Sequence, residues 1–119
     1  MSLHLTADME LLKERFIRRV REHGEVWGLR SEARGWAYCP SNDGDGDEDV
    51  LVFWSDRAYA ARHAVEEWAD YVPTVIPLEA FMQRWLPGMQ RDGALAGVDF
   101  NADLAGIELR PEALLDALR

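Results

Sequence analysis

Ser55, Tyr59 and His63 surround a predicted strand-to-helix turn and are the side chains best suited to chemistry. A hydroxyl, a phenol and an imidazole at such a turn are typical of a small-molecule pocket, because ligands gather at the carboxyl ends of parallel strands. One hypothesis is therefore a ligand-binding domain or an enzyme with its pocket after Trp54. Helical periodicity, however, places His63 on the polar face of the following helix, where we expect it to be exposed.

A second chemical feature is an acidic segment without any apolar residue, which invites a calcium interpretation. Its carboxylates are Asp43, Asp45, Asp47, Glu48 and Asp49. An EF-hand loop needs glycine at its sixth position and a bidentate glutamate at its twelfth. Counted from Ser41 or from Asp43, neither register supplies that final carboxylate, and a strand follows where a helix is required. We therefore predict no metal site and expect a solvated acidic loop, with weak cation association left open.

The remaining motif candidates are weak, so we predict no catalytic residue and no cofactor. The sequence therefore favours a protein that is not an enzyme. Cys39 has no diagnostic spacing to any histidine and is expected to be a small apolar residue at a strand end. Gly44 and Gly46 lack the strand-before, helix-after setting of a phosphate loop and stand among negative charges.

Composition narrows the class of protein and its partners. The chain has 119 residues and a formal net charge of −9, which suits one domain spanning residues 1–119. A field of that sign repels phosphate backbones and anionic lipid, so we predict neither nucleic-acid nor membrane binding. With no apolar run near membrane length, no secretory signal and one cysteine, we expect a cytoplasmic protein.

The N-terminal half predicts a helix, a hairpin and a buried strand. Apolar residues at helical spacing form a first stripe, which Gly24 ends; they are Leu5, Met9, Leu12, Phe16 and Val20. Two strands, 25–29 and 35–39, then suit a hairpin with a loose loop. The run Val50 to Trp54 is apolar throughout, which predicts a strand covered on both faces.

The C-terminal half predicts a crossover and a second hairpin. Ser55 is the expected N-cap of a helix whose inward face carries Ala58, Ala61, Val65 and Trp68. A short strand over 74–76 would then lie parallel to the strand 50–54. A third helix would run between Pro77 and Pro87. Strands at 95–100 and 106–110 would pair with each other, and a final helix would begin at Pro111. The overall prediction is a single α+β domain with a mixed sheet and about four helices.

The chain contains five tryptophans, a high count for its length. Trp54, Trp68 and Trp85 lie on predicted inward faces and are interpreted as core. Trp27 and Trp36 belong to the first hairpin, where they are placed to face each other across the strand pair. Because one face of an antiparallel hairpin is often open, these two are either core residues or anchors for a partner.

Several blocks of the sequence resemble the bacterial domain-of-unknown-function family DUF2750. They include the segments 25–29, 35–37, 53–55, 76–81, 85–88 and 111–115, and they extend over nearly the whole chain. The resemblance implies a small single-domain bacterial protein and no assigned reaction. A likeness of layout alone links the chain to serine-sensitivity-enhancing (SseB-type) domains and to some immunity proteins of toxin systems.

The leading functional hypothesis from sequence is a non-enzymatic module, immunity-type or regulatory, that recognises another protein. Negative charge would steer a basic partner to the acidic segment, with Trp27 and Trp36 as anchors. The pocket at Ser55, Tyr59 and His63 is the alternative. The sequence is compatible with a monomer or a homodimer.

Overall fold

The computed structural model of the chain describes residues 2–41, 48–101 and 106–119, with the backbone alone for residues 2–9. In chain order the elements are helix α1 (Ser2–His23), strands β1 (Glu25–Ser31), β2 (Gly35–Trp36), β3 (Tyr38–Pro40) and β4 (Asp49–Phe53), helix α2 (Arg57–Arg62), strand β5 (Val72–Pro77), helices α3 (Leu78–Ala80) and α4 (Leu86–Asp92), strands β6 (Leu95–Val98) and β7 (Ile107–Leu109), and helix α5 (Pro111–Leu118). A 3₁₀ turn (Glu66–Trp68) precedes β5, and a π-helical stretch (Phe81–Trp85) joins α3 to α4.

The described strands form two sheets, and the predicted α+β class is confirmed. One sheet has the order β2-β1-β5 and is antiparallel. The other has the order β3-β4-β6-β7, in which β4 and β6 are parallel and the outer pairs are antiparallel. The sheets join where the amide of Trp27 donates to the Trp54 carbonyl over 2.9 Å and the amide of Trp54 donates back over 2.7 Å.

Strand β4 is buried from both sides, as the apolar run Val50 to Trp54 predicts. Phe53 packs into a cluster with residues of α1, α4 and α5, and its ring meets the edge of Phe81 at 4.9 Å. Val50 and Val52 face the opposite cluster, which includes Trp54 and residues around α2. Successive side chains of a strand point to opposite faces, so both layers of the core depend on this one element.

The partner of the parallel crossover differs from the prediction. The segment 74–76 was expected to lie parallel to β4, but it belongs to β5, which pairs antiparallel with β1 in the other sheet. Strand β6 is the parallel partner of β4 and is buried along its whole length. The prolines at 73 and 77 explain the difference, because a strand without two of its amide donors suits an edge position and not the interior of a sheet.

The segment 35–39 is not one strand of a hairpin but passes from one sheet to the other. Between β2 and β3, the amide of Ala37 donates to the Leu29 carbonyl over 2.9 Å. Trp36 lies opposite Arg30, so it does not face Trp27 as predicted. The bend turns the Trp36 ring over Gly28, where a Cβ would come within 2.9 Å of the ring.

The third helix begins after Pro77 as expected, but it continues beyond Pro87 to Asp92. A π-helical turn precedes that proline, and the Leu86 amide donates to the Phe81 carbonyl, five residues back. Gly93 ends the helix with φ of 74°, in the left-handed region that favours glycine. The C-terminal strand pair and helix α5 are also confirmed.

Candidate functional site

A cavity of about 250 Å³ opens between α1, α2 and the carboxyl ends of β4 and β6. Its lining includes Leu12, Tyr59, Arg62, His63 and Phe100. The sequence hypothesis placed a pocket after Trp54, and two of its three residues, Tyr59 and His63, line this cavity. The third, Ser55, is buried next to it and contacts another lining residue, Asp99.

Asp99 is the buried anchor of the site. Its carboxylate accepts hydrogen bonds from the Ser55 amide and the Ser55 hydroxyl, each over 2.8 Å, and from the Arg15 Nε–H over 3.1 Å. The Asp99 amide donates to the Phe53 carbonyl over 2.9 Å, so Asp99 lies directly after the paired ends of β4 and β6. A carboxylate that is only 1 % exposed is tolerated because its oxygens have these donors.

The same contacts correct the expected role of Ser55. Asp56 is the N-cap of α2, and its carboxylate accepts from the Ala58 amide over 2.7 Å. Ser55 instead directs both its amide and its hydroxyl to Asp99. Asp99 has φ of 48°, in the left-handed region that aspartate tolerates better than most residues, and this turns the chain back over the cavity.

His63 is buried, contrary to its predicted place on the exposed face of the helix. Its ring lies against Trp54 with centroids 4.7 Å apart. Both ring nitrogens lie 2.8 Å from carbonyl oxygens, Nδ1 from that of Tyr59 and Nε2 from that of Asn101. Each ring nitrogen therefore faces a backbone carbonyl, which accepts a hydrogen bond from a nitrogen that carries hydrogen.

Helix α2 is shorter than predicted and ends at Arg62, where the His63 amide donates to the Ala60 carbonyl over 3.0 Å. The predicted inward face therefore holds only in part. Trp68 is buried as predicted, but Val65 is 56 % exposed, and Ala60 and His63 are buried instead.

Three guanidinium groups converge on the ring of Tyr59. Their central carbons lie 4.6 Å (Arg15), 5.6 Å (Arg19) and 5.5 Å (Arg62) from its centroid. Arg15 is paired with Asp99, and Arg19 lies 4.0 Å from an oxygen of Asp56. Within residues 2–41, 48–101 and 106–119, no carboxylate lies within ion-pair distance of Arg62. Among the described residues, these three arginines and their two carboxylate partners leave one excess positive charge near Tyr59, in a chain of net charge −9.

The floor of the cavity is aromatic and depends on two glycines. A Cβ on Gly97 or on Gly106 would come within 2.6 Å of the Phe100 ring. The ring fills the space that these residues leave free, and the Phe100 carbonyl accepts from the Trp54 Nε1–H over 3.2 Å. The floor is thus fixed by packing and by hydrogen bonding.

Sequence reasoning did not assign Arg15, Arg62, Asp99 or Phe100 to this site. For Arg15 the local sequence carried no signal, because its partner Asp99 lies 84 residues away. The position of Asp99 could have been recognised from the sequence. It directly follows a buried apolar strand, where a carboxylate requires hydrogen-bond donors.

Four of the other predicted binding residues lie in the part of the chain that the structure describes. Trp27 and Trp36 are partly buried, and Trp36 packs edge-on against Trp85 with centroids 4.6 Å apart. Glu48 lies 3.6 Å from Arg110, and Asp49 is exposed at the start of β4. Asp43, Asp45 and Asp47 lie outside the described residues, so their predicted role is not tested.

Neither a metal centre nor a reactive thiol is evident in the part of the chain that the structure describes. No three histidine, cysteine, aspartate or glutamate side chains there are grouped to hold an ion. Burial, and secondarily the charge of Glu108, raise the pKa of Cys39 to about 11, so its thiol is protonated at neutral pH.

Fold and site together define an α+β domain with a pocket at the end of a parallel strand pair. The chain belongs to the DUF2750 family of proteins of unknown function, whose family model matches residues 13–118. That match confirms the resemblance found in the tryptophan-containing blocks. No curated protein matches the chain. Among the described helices, none is both long and apolar enough to cross a membrane.

Proposed function

We propose that the protein binds a small metabolite in the cavity between α1, α2 and the ends of β4 and β6. The observation that supports this most is Arg62, a guanidinium without a carboxylate partner among the described residues, beside an apolar cavity. Ligands of open parallel sheets bind at this end of the strands. A cavity of about 250 Å³ suits a molecule smaller than a typical drug.

The contacts favour binding over catalysis. A general base or nucleophile needs a free nitrogen or hydroxyl within reach of the reacting group. The Ser55 hydroxyl donates to Asp99, and both ring nitrogens of His63 face backbone carbonyls. These side chains therefore support the structure of the pocket wall.

A pair of adjacent leucines in α1 provides the test. Leu12 lines the cavity, whereas Leu11 is 61 % exposed and does not. Leu12→Trp should fill the cavity, and Leu11→Trp is the matched control for the added indole. Each purified protein is mixed with the small-molecule fraction of a bacterial lysate, passed through a desalting column, denatured and analysed by mass spectrometry.

We expect the wild type and Leu11→Trp to retain the same metabolite and Leu12→Trp to lose it. Circular dichroism and the unfolding midpoint of each variant establish that all three proteins are folded. Retention of nothing by the wild type, or equal retention by all three proteins, contradicts the proposal.

Acidic charge favours a second candidate function, the recognition of a basic protein by an immunity-type or regulatory module. The chain has 22 acidic and 13 basic residues, and Asp49 is exposed beside the acidic segment. Neutralising Asp43, Asp45, Asp47, Glu48 and Asp49 should slow association with such a partner and reduce its salt dependence. An unchanged rate would contradict this candidate. For either function we propose a location in the bacterial cytoplasm.

A further inference from the structure

We infer that the ligand of this cavity is a small monocarboxylate with an aromatic or similarly compact apolar body. This inference rests on the proposed function and names the class of molecule that the cavity would take. Its elements are the charge of Arg62, which has no carboxylate partner among the described residues, the apolar floor and the size of the cavity.

The charge balance at the cavity mouth favours a single negative charge. Asp99 lies 3.1 Å from Arg15, and Asp56 lies 4.0 Å from Arg19, so two of the three cations near Tyr59 already have anionic partners. Arg62 remains, with its central carbon 5.5 Å from the Tyr59 centroid. A ligand with one negative charge would balance it, and a neutral ligand would leave the guanidinium without a partner.

The geometry of guanidinium favours a carboxylate as that charge. Its parallel N–H groups match the two oxygens of a carboxylate, and such a pair forms two hydrogen bonds in one plane. A phosphate monoester is close to doubly charged at neutral pH. The buried carboxylate of Asp99 and the net charge of −9 both oppose the second charge.

The walls define the rest of the ligand. Leu12, Tyr59, Trp54 and Phe100 give the cavity a lining that is largely apolar and aromatic. Flat rings offer favourable edge and face contacts to another ring. Phenylacetate, in which one carbon joins a phenyl group to a carboxylate, has both features and is a suitable probe.

The test compares three probes of the same body by isothermal titration calorimetry: phenylacetate, its neutral isostere phenylacetamide, and phenyl phosphate. Each is titrated into wild type, Arg62→Gln, Arg62→Lys and Arg57→Gln. Arg57 is the matched control, because it is an exposed arginine on the same helix that does not line the cavity.

We expect phenylacetate to bind wild type and Arg57→Gln about tenfold more tightly than either other probe, a modest factor because Arg62 is exposed. Arg62→Gln should remove that preference, and Arg62→Lys should retain part of it. Equal affinity for acid and amide would overturn the carboxylate inference and leave the cavity as a binding site. No binding of any probe would overturn the inference, and no retained metabolite in the lysate experiment would overturn the proposed function.

Discussion

Substitution of Asp99 by asparagine tests whether the buried carboxylate holds the site together. Asparagine has nearly the same shape and tolerates the left-handed φ of 48°, so the change removes charge while leaving the backbone conformation accessible. Asparagine has a single side-chain oxygen, so it can face either the Ser55 amide, which donates to Oδ1, or the Ser55 hydroxyl and Arg15, which donate to Oδ2. The Arg15 Nε–H, which donates over 3.1 Å to Asp99, then meets either an amide donor or a neutral oxygen.

The expected loss follows from the three hydrogen bonds. A bond to a charged group contributes about 1.5–3 kcal/mol and a neutral bond about 1 kcal/mol, so the two bonds from Ser55 weaken by about 1 kcal/mol each. The Arg15 side chain is 33 % exposed and can turn to water, so its lost pair adds at most about 1 kcal/mol. We expect Asp99→Asn to lower the free energy of unfolding by about 2–3 kcal/mol.

Urea unfolding followed by tryptophan fluorescence measures this loss, because Trp54 lies at the site. The midpoint should fall by about 1–2 M. Asp56→Asn is the matched control: its carboxylate is 43 % exposed, and asparagine is as good an N-cap, so we expect a change of only a few tenths of a kcal/mol. A loss below about 1 kcal/mol for Asp99→Asn, or one equal to that of the control, would refute the reasoning.

Three further predictions concern packing and ionisation. Gly97→Ala should lower the free energy of unfolding by about 1–3 kcal/mol in urea titrations, because the new Cβ would lie 2.6 Å from the Phe100 ring. Gly88→Ala should instead raise it by about 0.5–1 kcal/mol, because this helical glycine has room for a methyl group, with its nearest contact at 3.5 Å. The pKa of Cys39 is raised from 9.0 to about 11, so the folded state favours the protonated thiol. The contribution of that thiol to the free energy of unfolding should therefore be full below pH 9 and lost as the pH rises towards 11. Its alkylation rate, followed by mass spectrometry, should still rise between those values, and Glu108→Gln should shift the profile to lower pH; a plateau near pH 9 would contradict this.

Local sequence signals predicted much of the fold because each one determines the structure of the segment in which it occurs. The apolar run of β4, the left-handed glycines at 24 and 93, and the prolines before the later helices each specify their own segment. The α+β class follows from their order. The pairing of β4 with β6 was not predicted, because the sequence of one strand does not determine which other strand lies next to it in the sheet.

The sequence placed a candidate pocket after Trp54, and the structure has a cavity there that Tyr59 and His63 line. The burial of His63 was not predictable from helical periodicity, because its ring faces a carbonyl of Asn101, 38 residues away. The end of α2 was not predictable either, since the chain there contains neither proline nor glycine. The pairing of Arg15 with Asp99 spans 84 residues, a distance over which periodicity carries no information.

The most direct test of the central claim is an amide chemical-shift map of the ¹⁵N-labelled protein mixed with the metabolite fraction of a lysate. If the cavity is the binding site, the largest shifts should fall on its lining residues Tyr59, Arg62 and His63 and on residues 99–101. Leu12→Trp should abolish them and Leu11→Trp should not. No shifts in the wild type, or shifts centred on the exposed Val72 and Val75 of β5, would contradict the account.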